Sequence, residues 1–122
     1  MSFLIALFLI PAFAANTKMK YYINNAYTTI EIQKQGKVRV DAVCSKKLSK
    51  CTALQVANGK RFPASPHKGP LFGNPASSYC WDVGGKSRIL KDEKNNQYDY
   101  CVFNDGSMVD AWDLYSVHYS NK

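Results

Sequence analysis

Beyond its first fourteen residues, this chain of 122 residues has no long apolar or amphipathic run. It therefore offers no segment that could insert into a bilayer as a helix or line a pore. It has no Gly-rich phosphate loop, no Ser-His-Asp order beside a nucleophile elbow, and no clustered metal ligands. Its two histidines, His67 and His118, are scattered, and its four cysteines show no C-x-x-C spacing. A zinc site drawing on both sets is thereby the weaker reading. Acidic side chains are scarce in one region: residues 15–72 hold Glu31 and Asp41 against eleven Lys and Arg. These absences predict a non-enzymatic protein without cofactor or metal.

What is present begins with Met1 to Ala14, almost wholly apolar and free of charged side chains. Ala12-Phe13-Ala14 supplies the small residues of a signal-peptidase site, so residues 1–14 read as a signal peptide cleaved after Ala14. The run from Phe3 to Pro11 is too short to span a bilayer. The lack of Lys or Arg ahead of it is unusual for such a signal, and a short first strand or a membrane-dipping anchor is the alternative. The expectation is export, to the periplasm or the outside.

A mature chain of about 108 residues is near the size at which cross-links help. Four cysteines in an exported chain suit that need, and they allow three pairings. The simplest keeps each bridge within its own half, Cys44–Cys51 and Cys80–Cys101.

The formal charge of +7 is unevenly spread: residues 15–72 carry a net +9 and residues 73–122 a net −2. A basic surface attracts anionic polymers, lipid headgroups or acidic proteins. Export argues against nucleic acid and leaves a protein partner, with electrostatic contact to an anionic envelope surface as a further option. Lysines that merely solvate one face are the plain alternative.

The front half reads as β structure. Residues 18–25 suggest a first strand. Tyr27 to Gln33 alternates, with Thr28, Ile30 and Ile32 on one face, and after the Gln35-Gly36-Lys37 turn Val38 to Cys44 repeats the alternation. Cys44 and Cys51 bracket a lysine loop, from which Lys46, Lys47 and Lys50 are candidate binding residues; an ordinary stapled hairpin is the plainer reading. Thr52 to Ala57 suggests another strand, turning at Asn58-Gly59 into a return strand from Arg61-Phe62. Residues 15–62 thus form a basic β-rich region. Pro63, Pro66, Pro70 and Gly69 mark residues 63–72 as a linker, in which His67 reads as solvated.

In residues 73–122, Asn74-Pro75 supplies an N-cap and a first-turn proline. A helix from Ala76 to Val83 should stop at Gly84-Gly85, with Ala76, Tyr79, Cys80 and Val83 facing inward. Strands at Lys86–Leu90 and Tyr98–Phe103 flank a polar turn. After Asn104-Asp105-Gly106, the segment Ser107 to Tyr119 should hold a final helix bearing Trp112 and Tyr115. The predicted class is α+β: N-terminal antiparallel hairpins or a meander, then a helix–strand–strand–helix unit. Asp105, Asp110 and Asp113 invite comparison with the paired carboxylates of sugar hydrolysis, but acids stabilising a helix N-terminus explain Asp105 and Asp110 as well.

Several motifs in this half occur in a fixed order: Asn74-Pro75-Ala76-Ser77-Ser78-Tyr79-Cys80, Gly84-Gly85, Cys101-Val102-Phe103, Asp105-Gly106-Ser107 and Trp112-Asp113-Leu114-Tyr115. Together they resemble a small bacterial envelope domain family of unknown function that often carries a hemolysin label. The resemblance covers residues 73–122. It implies helix–strand–strand–helix topology, an exported location and a Cys80–Cys101 bridge, and it supplies no catalytic residues. The chain departs from the family's pattern at Asn104, where proline is common, at Ala111, where an acid is common, and at Asp113, where alanine is common.

The expected function is therefore that of an exported, non-catalytic, protein-binding module of the cell envelope, with hydrolase inhibition as one form of it, acting through Lys46, Lys47, Lys50 or an exposed Trp81. The alternative is an accessory structural subunit of a secretion or pilus assembly, whose edge strands add to a neighbour's sheet.

Overall fold

A computed structural model describes residues 16–45, 51–61 and 74–119. The signal segment, the lysine loop with Lys46, Lys47 and Lys50, the linker with His67, and the return strand at Phe62 lie outside the described residues. Six strands are present: β1 (Thr17–Ile23), β2 (Ala26–Gln35), β3 (Val38–Asp41), β4 (Lys86–Lys91), β5 (Gln97–Val102) and β6 (Met108–Asp110). Three helices accompany them: α1 (Thr52–Asn58), α2 (Pro75–Asp82) and α3 (Ala111–Tyr119). A 3-10 turn, Ala42–Ser45, follows β3. The expected mixture of helix and strand is present, in a more closed form than a hairpin array. All pairings are antiparallel, and the strands close into a barrel in the order β1-β2-β3-β6-β5-β4.

Local chemistry explains most of these elements. Asn24 and Asn25 both adopt positive φ, 52° and 64°, as a two-residue hairpin turn between β1 and β2 requires. Asn74 caps α2 by accepting from the Ser77 N–H at 3.1 Å, with Pro75 in the first turn. Gly84, at φ 92°, ends the helix region.

The barrel has two hydrophobic layers. Its interior holds Met19, Ile32, Leu90, Tyr100 and Met108, all buried. Outside the β3-β6-β5 wall, the helices pack Leu54, Ala57, Tyr79, Cys80 and Leu114 against Val38, Val40, Cys101 and Val109. The β2–β3 hairpin therefore buries opposite faces in its two strands. Gln33 pairs with Val40 and Ile32 with Asp41, so Ile32 points into the barrel while Val40 points to the helices. Alternation locates the apolar face of each strand, but not the layer it meets.

Three expectations need correction. Residues 52–57 form helix α1, not a strand, and Asn58-Gly59 ends it. Ala53, Leu54 and Ala57 are buried at helical spacing. The N–H groups that a helix start leaves unpaired are met from elsewhere: Thr52 N–H donates to Asp105 Oδ2 at 2.9 Å, Ala53 N–H to Ser107 Oγ at 3.0 Å, and Leu54 N–H to Cys51 Sγ at 3.3 Å. Second, residues 108–110 form a strand before the final helix, because Cys101–Val109 and Val40–Val109 pairing makes β6 the bridge between the two halves of the sheet. Third, Cys44 lies in a 3-10 turn past the end of β3 rather than in the strand.

Both bridges of the simplest pairing are present, Cys44–Cys51 and Cys80–Cys101, with Cα separations of 5.2 Å and 5.4 Å. In the chain-entropy account, loops of these sizes gain about 2–3 and about 3–4 kcal/mol respectively. Two disulfides fit an oxidising location outside the cytoplasm. Among the described residues, no helix is long and apolar enough to cross a membrane.

Candidate functional site

The barrel closes unevenly. Between β1 and β4 only Lys20–Lys91 and Tyr21–Leu90 pair, whereas β1 pairs with β2 along its whole length. Past Tyr21 and Leu90 the two strands fork. Among the described residues, the β1 edge at Tyr22 and Ile23 and the β4 edge at residues 86–89 each have a sheet neighbour on one side alone.

A cleft of about 510 Å³ opens in this fork, within the range of ligand pockets. Tyr21 and Ile23 of β1, Ile30 of β2, and Val102 and Met108 of β5 and β6 supply its apolar lining, and Thr28, Asn104 and two cations make it nearly as polar as apolar. Lys86 and Arg88 stand at its rim. They share a face with the buried Leu90 because side chains two apart on a strand point the same way. Arg88 Nη1 donates to the Ser87 carbonyl at 3.0 Å. Among the described residues neither cation meets a carboxylate; the one ion pair there is Arg39–Asp113. Tyr22, Ile23 and Tyr27 are exposed at the tip of the adjoining hairpin, with the two tyrosine rings edge to face at 4.9 Å.

A second cleft, of about 460 Å³, is lined by Arg39, Tyr98, Asp99, Asp110, Trp112 and Asp113, among others. Its charged groups are already engaged. Asp110 caps α3, its Oδ1 accepting from the Asp113 N–H at 2.9 Å. Burial pushes the Asp110 carboxyl above its ordinary pKa and Asp113's charge adds to that, against the backbone N–H bonds from Asp113 and Trp112. Asp113 in turn accepts from Arg39 Nε at 3.0 Å, Arg39 Nη2 at 3.3 Å and the Arg39 backbone N–H at 2.9 Å. Asp99 accepts from Asn74 Nδ2 at 2.9 Å.

Asp105 sits elsewhere, beside the Cys44–Cys51 bridge and Asp41. Its partial burial would raise its pKa, but hydrogen bonds from Ser107 and from Thr52 prevail and hold it at about 2. Asp105 and the Asp110–Asp113 pair therefore line different clefts, and each carboxylate serves a turn, a cap or an ion pair.

Of the residues singled out from sequence, Trp81 is partly exposed, at 43 %, on α2 and lines neither of the two clefts described first. His118 is built into the helix layer. Its Nε2–H donates to the Ala57 carbonyl at 3.1 Å, which leaves Nδ1 to accept from the Tyr79 hydroxyl. Lys86 and Arg88 are not among the residues singled out from sequence. The available signal was two cations at i and i+2 on the apolar face of a strand that ends in a buried leucine.

No curated protein and no solved structure matches the chain. Residues 72–118, which take in α2, β4, β5, β6 and most of α3, are similar to a family described as "Domain of unknown function (DUF333)".

Proposed function

We propose that this protein is an exported, non-catalytic binding module of the bacterial cell envelope, and that the fork between β1 and β4 is its receptor site. The observation that carries this reading is the cleft itself, where apolar side chains, two cations that meet no carboxylate among the described residues, and two strand edges come together. The two disulfides support action in an oxidising compartment. The hydrogen bonds that engage Asp105, Asp110 and Asp113 support a binding role over hydrolysis.

Affinity capture of the tagged mature protein from intact envelopes, followed by mass spectrometry, tests the reading. A protein retained by the wild type should be lost when Lys86→Glu and Arg88→Glu are combined. Identical capture by both would overturn it. A hydrolase recovered as a soluble one-to-one complex would identify an inhibitor, whereas recovery within a large detergent-extracted complex would identify an accessory subunit.

A further inference from the structure

The alternation of side chains along β4 specifies what this cleft would recognise, given the binding-module reading on which the following rests. The Lys20–Lys91 and Tyr21–Leu90 register would continue to Tyr22–Ile89 and Ile23–Arg88, but those pairs do not form. The edge of residues 86–89 presents about 13 Å of backbone in strand conformation, and among the described residues its N–H and C=O groups on the fork side have no strand partner. An open edge is a template for another strand.

Lys86 and Arg88 point to the cleft side of this edge. Ile89 lies on the other face and is 44 % exposed, although it is a large apolar side chain. A strand added antiparallel to β4 would set alternate side chains directly opposite these residues, on the same faces. Acidic residues at every second position would meet Lys86 and Arg88. The intervening apolar residues would lie over Ile89 and Ser87.

We infer that the fork binds an extended, acidic segment of a partner protein by strand addition to β4, with carboxylates two residues apart paired to Lys86 and Arg88. Backbone pairing supplies length and direction, and the two cations supply selection. A helix cannot satisfy the open edge. A basic strand would set like charges opposite one another, which is destabilising.

A blocked peptide, Gly-Thr-Val-Glu-Val-Glu-Val-Thr-Gly, provides the test against the isotope-labelled mature protein, oxidised. Titration should shift the amide resonances of residues 86–89, slow hydrogen exchange at Ser87 and Ile89, whose N–H groups face the fork, and give backbone contacts between peptide and β4. Replacing both peptide glutamates by lysine should weaken binding at least about tenfold. Combining Lys86→Glu with Arg88→Glu should reverse the preference, so that the lysine peptide binds the better of the two. Both positions are exposed, and an unchanged circular dichroism spectrum would show that the double variant is folded. N-methylation of the peptide at its central valine should abolish the exchange protection.

Absence of binding by the glutamate peptide, indifference to its charge, or resonance shifts confined to other surfaces would overturn the inference. So would preferential binding to phosphatidylglycerol vesicles with no peptide binding, which would make the cationic rim and the tyrosine tip a lipid surface. A captured envelope protein whose cleft-bound segment is helical or basic would defeat strand addition and leave the binding-module reading standing. Capture unaffected by the double variant would move the receptor site away from the fork, and the absence of any captured protein would defeat the binding-module reading itself.

Discussion

Gly85 and Cys101 lie so close that a Cβ on the glycine would collide with the Cys101 sulfur and stand 3.1 Å from the sulfur of Cys80. The adjacent glycines therefore serve different needs. Gly84 supplies a positive φ at the end of α2, while Gly85 supplies room for the disulfide. The Gly85 N–H also donates to the Cys80 carbonyl at 2.9 Å, which fixes the chain against the bridge.

Gly85→Ala should destabilise the fold by about 1–3 kcal/mol, because overfilling a packed site forces neighbours off their preferred positions. Urea denaturation of the oxidised protein would show it as a lower midpoint at unchanged slope. An unchanged midpoint would mean that the bridge can move aside.

The Arg39–Asp113 contact ties β3 to the first turn of α3, and Asp113 stands where the resembled family commonly has alanine. Arg39 is 48 % exposed, so solvent screens the charge contribution and Arg39→Ala should cost no more than about 1 kcal/mol. Asp113→Ala should cost more, because Asp113 also accepts the Arg39 backbone N–H. A double-mutant cycle at low and high salt would separate the parts, with the side-chain coupling shrinking in salt while the remainder persists. Equal costs for the two single variants would show the backbone bond to be immaterial.

Asp105 links acidity to stability. Its folded pKa of about 2 lies below its ordinary 3.8, so its stabilising contribution is complete above about pH 4 and is lost as pH falls toward 2. Asp105→Asn should be less stable than the wild type at neutral pH, because it weakens the ties to Thr52 and Ser107. It should also lose less stability across that acid interval. Parallel stability profiles for the two proteins from pH 5 to pH 2 would contradict this role.

Tyr100 is fully buried inside the barrel, and among the described residues its hydroxyl has no hydrogen-bond partner. Burial, reinforced by the charge of Asp110, keeps the phenol protonated well above its ordinary range. Tyr100→Phe should be neutral or stabilising by up to about 1 kcal/mol, since it removes an unsatisfied polar group while keeping the ring. Thermal unfolding gives the answer, and a loss of more than about 1 kcal/mol would reveal a partner for the hydroxyl.

Much of the local structure was legible in the sequence because it depends on near neighbours. Asn74-Pro75 states a helix start, Gly36 marks the β2–β3 turn, and the alternation from Tyr27 to Gln33 states a strand. Thr52 to Ala57 was not legible, since its residues fit both an alternating strand and a short helical face. Asp105 and Ser107, more than fifty positions away, satisfy the first N–H groups of the helix and so select it. The candidate site was hidden for a related reason. Lys86 and Arg88 read as ordinary exposed cations until the incomplete β1–β4 pairing places them beside an open edge.

Near neighbours alone settled the Asn74-Pro75 helix start, the Gly36 turn and the apolar faces of β2 and β3, and short spacing favoured the cysteine pairing that forms. All of these follow from side-chain chemistry acting over a few residues, or from the economy of pairing nearby cysteines. Only the tertiary structure decided that the hairpins close into a barrel, that Ile32 and Val40 bury into different layers, and that α1 is a helix. It also decided where the barrel fails to close. Those outcomes depend on which backbone and side-chain groups find partners across long separations, and no local pattern in the chain encodes a partner that is left unmade.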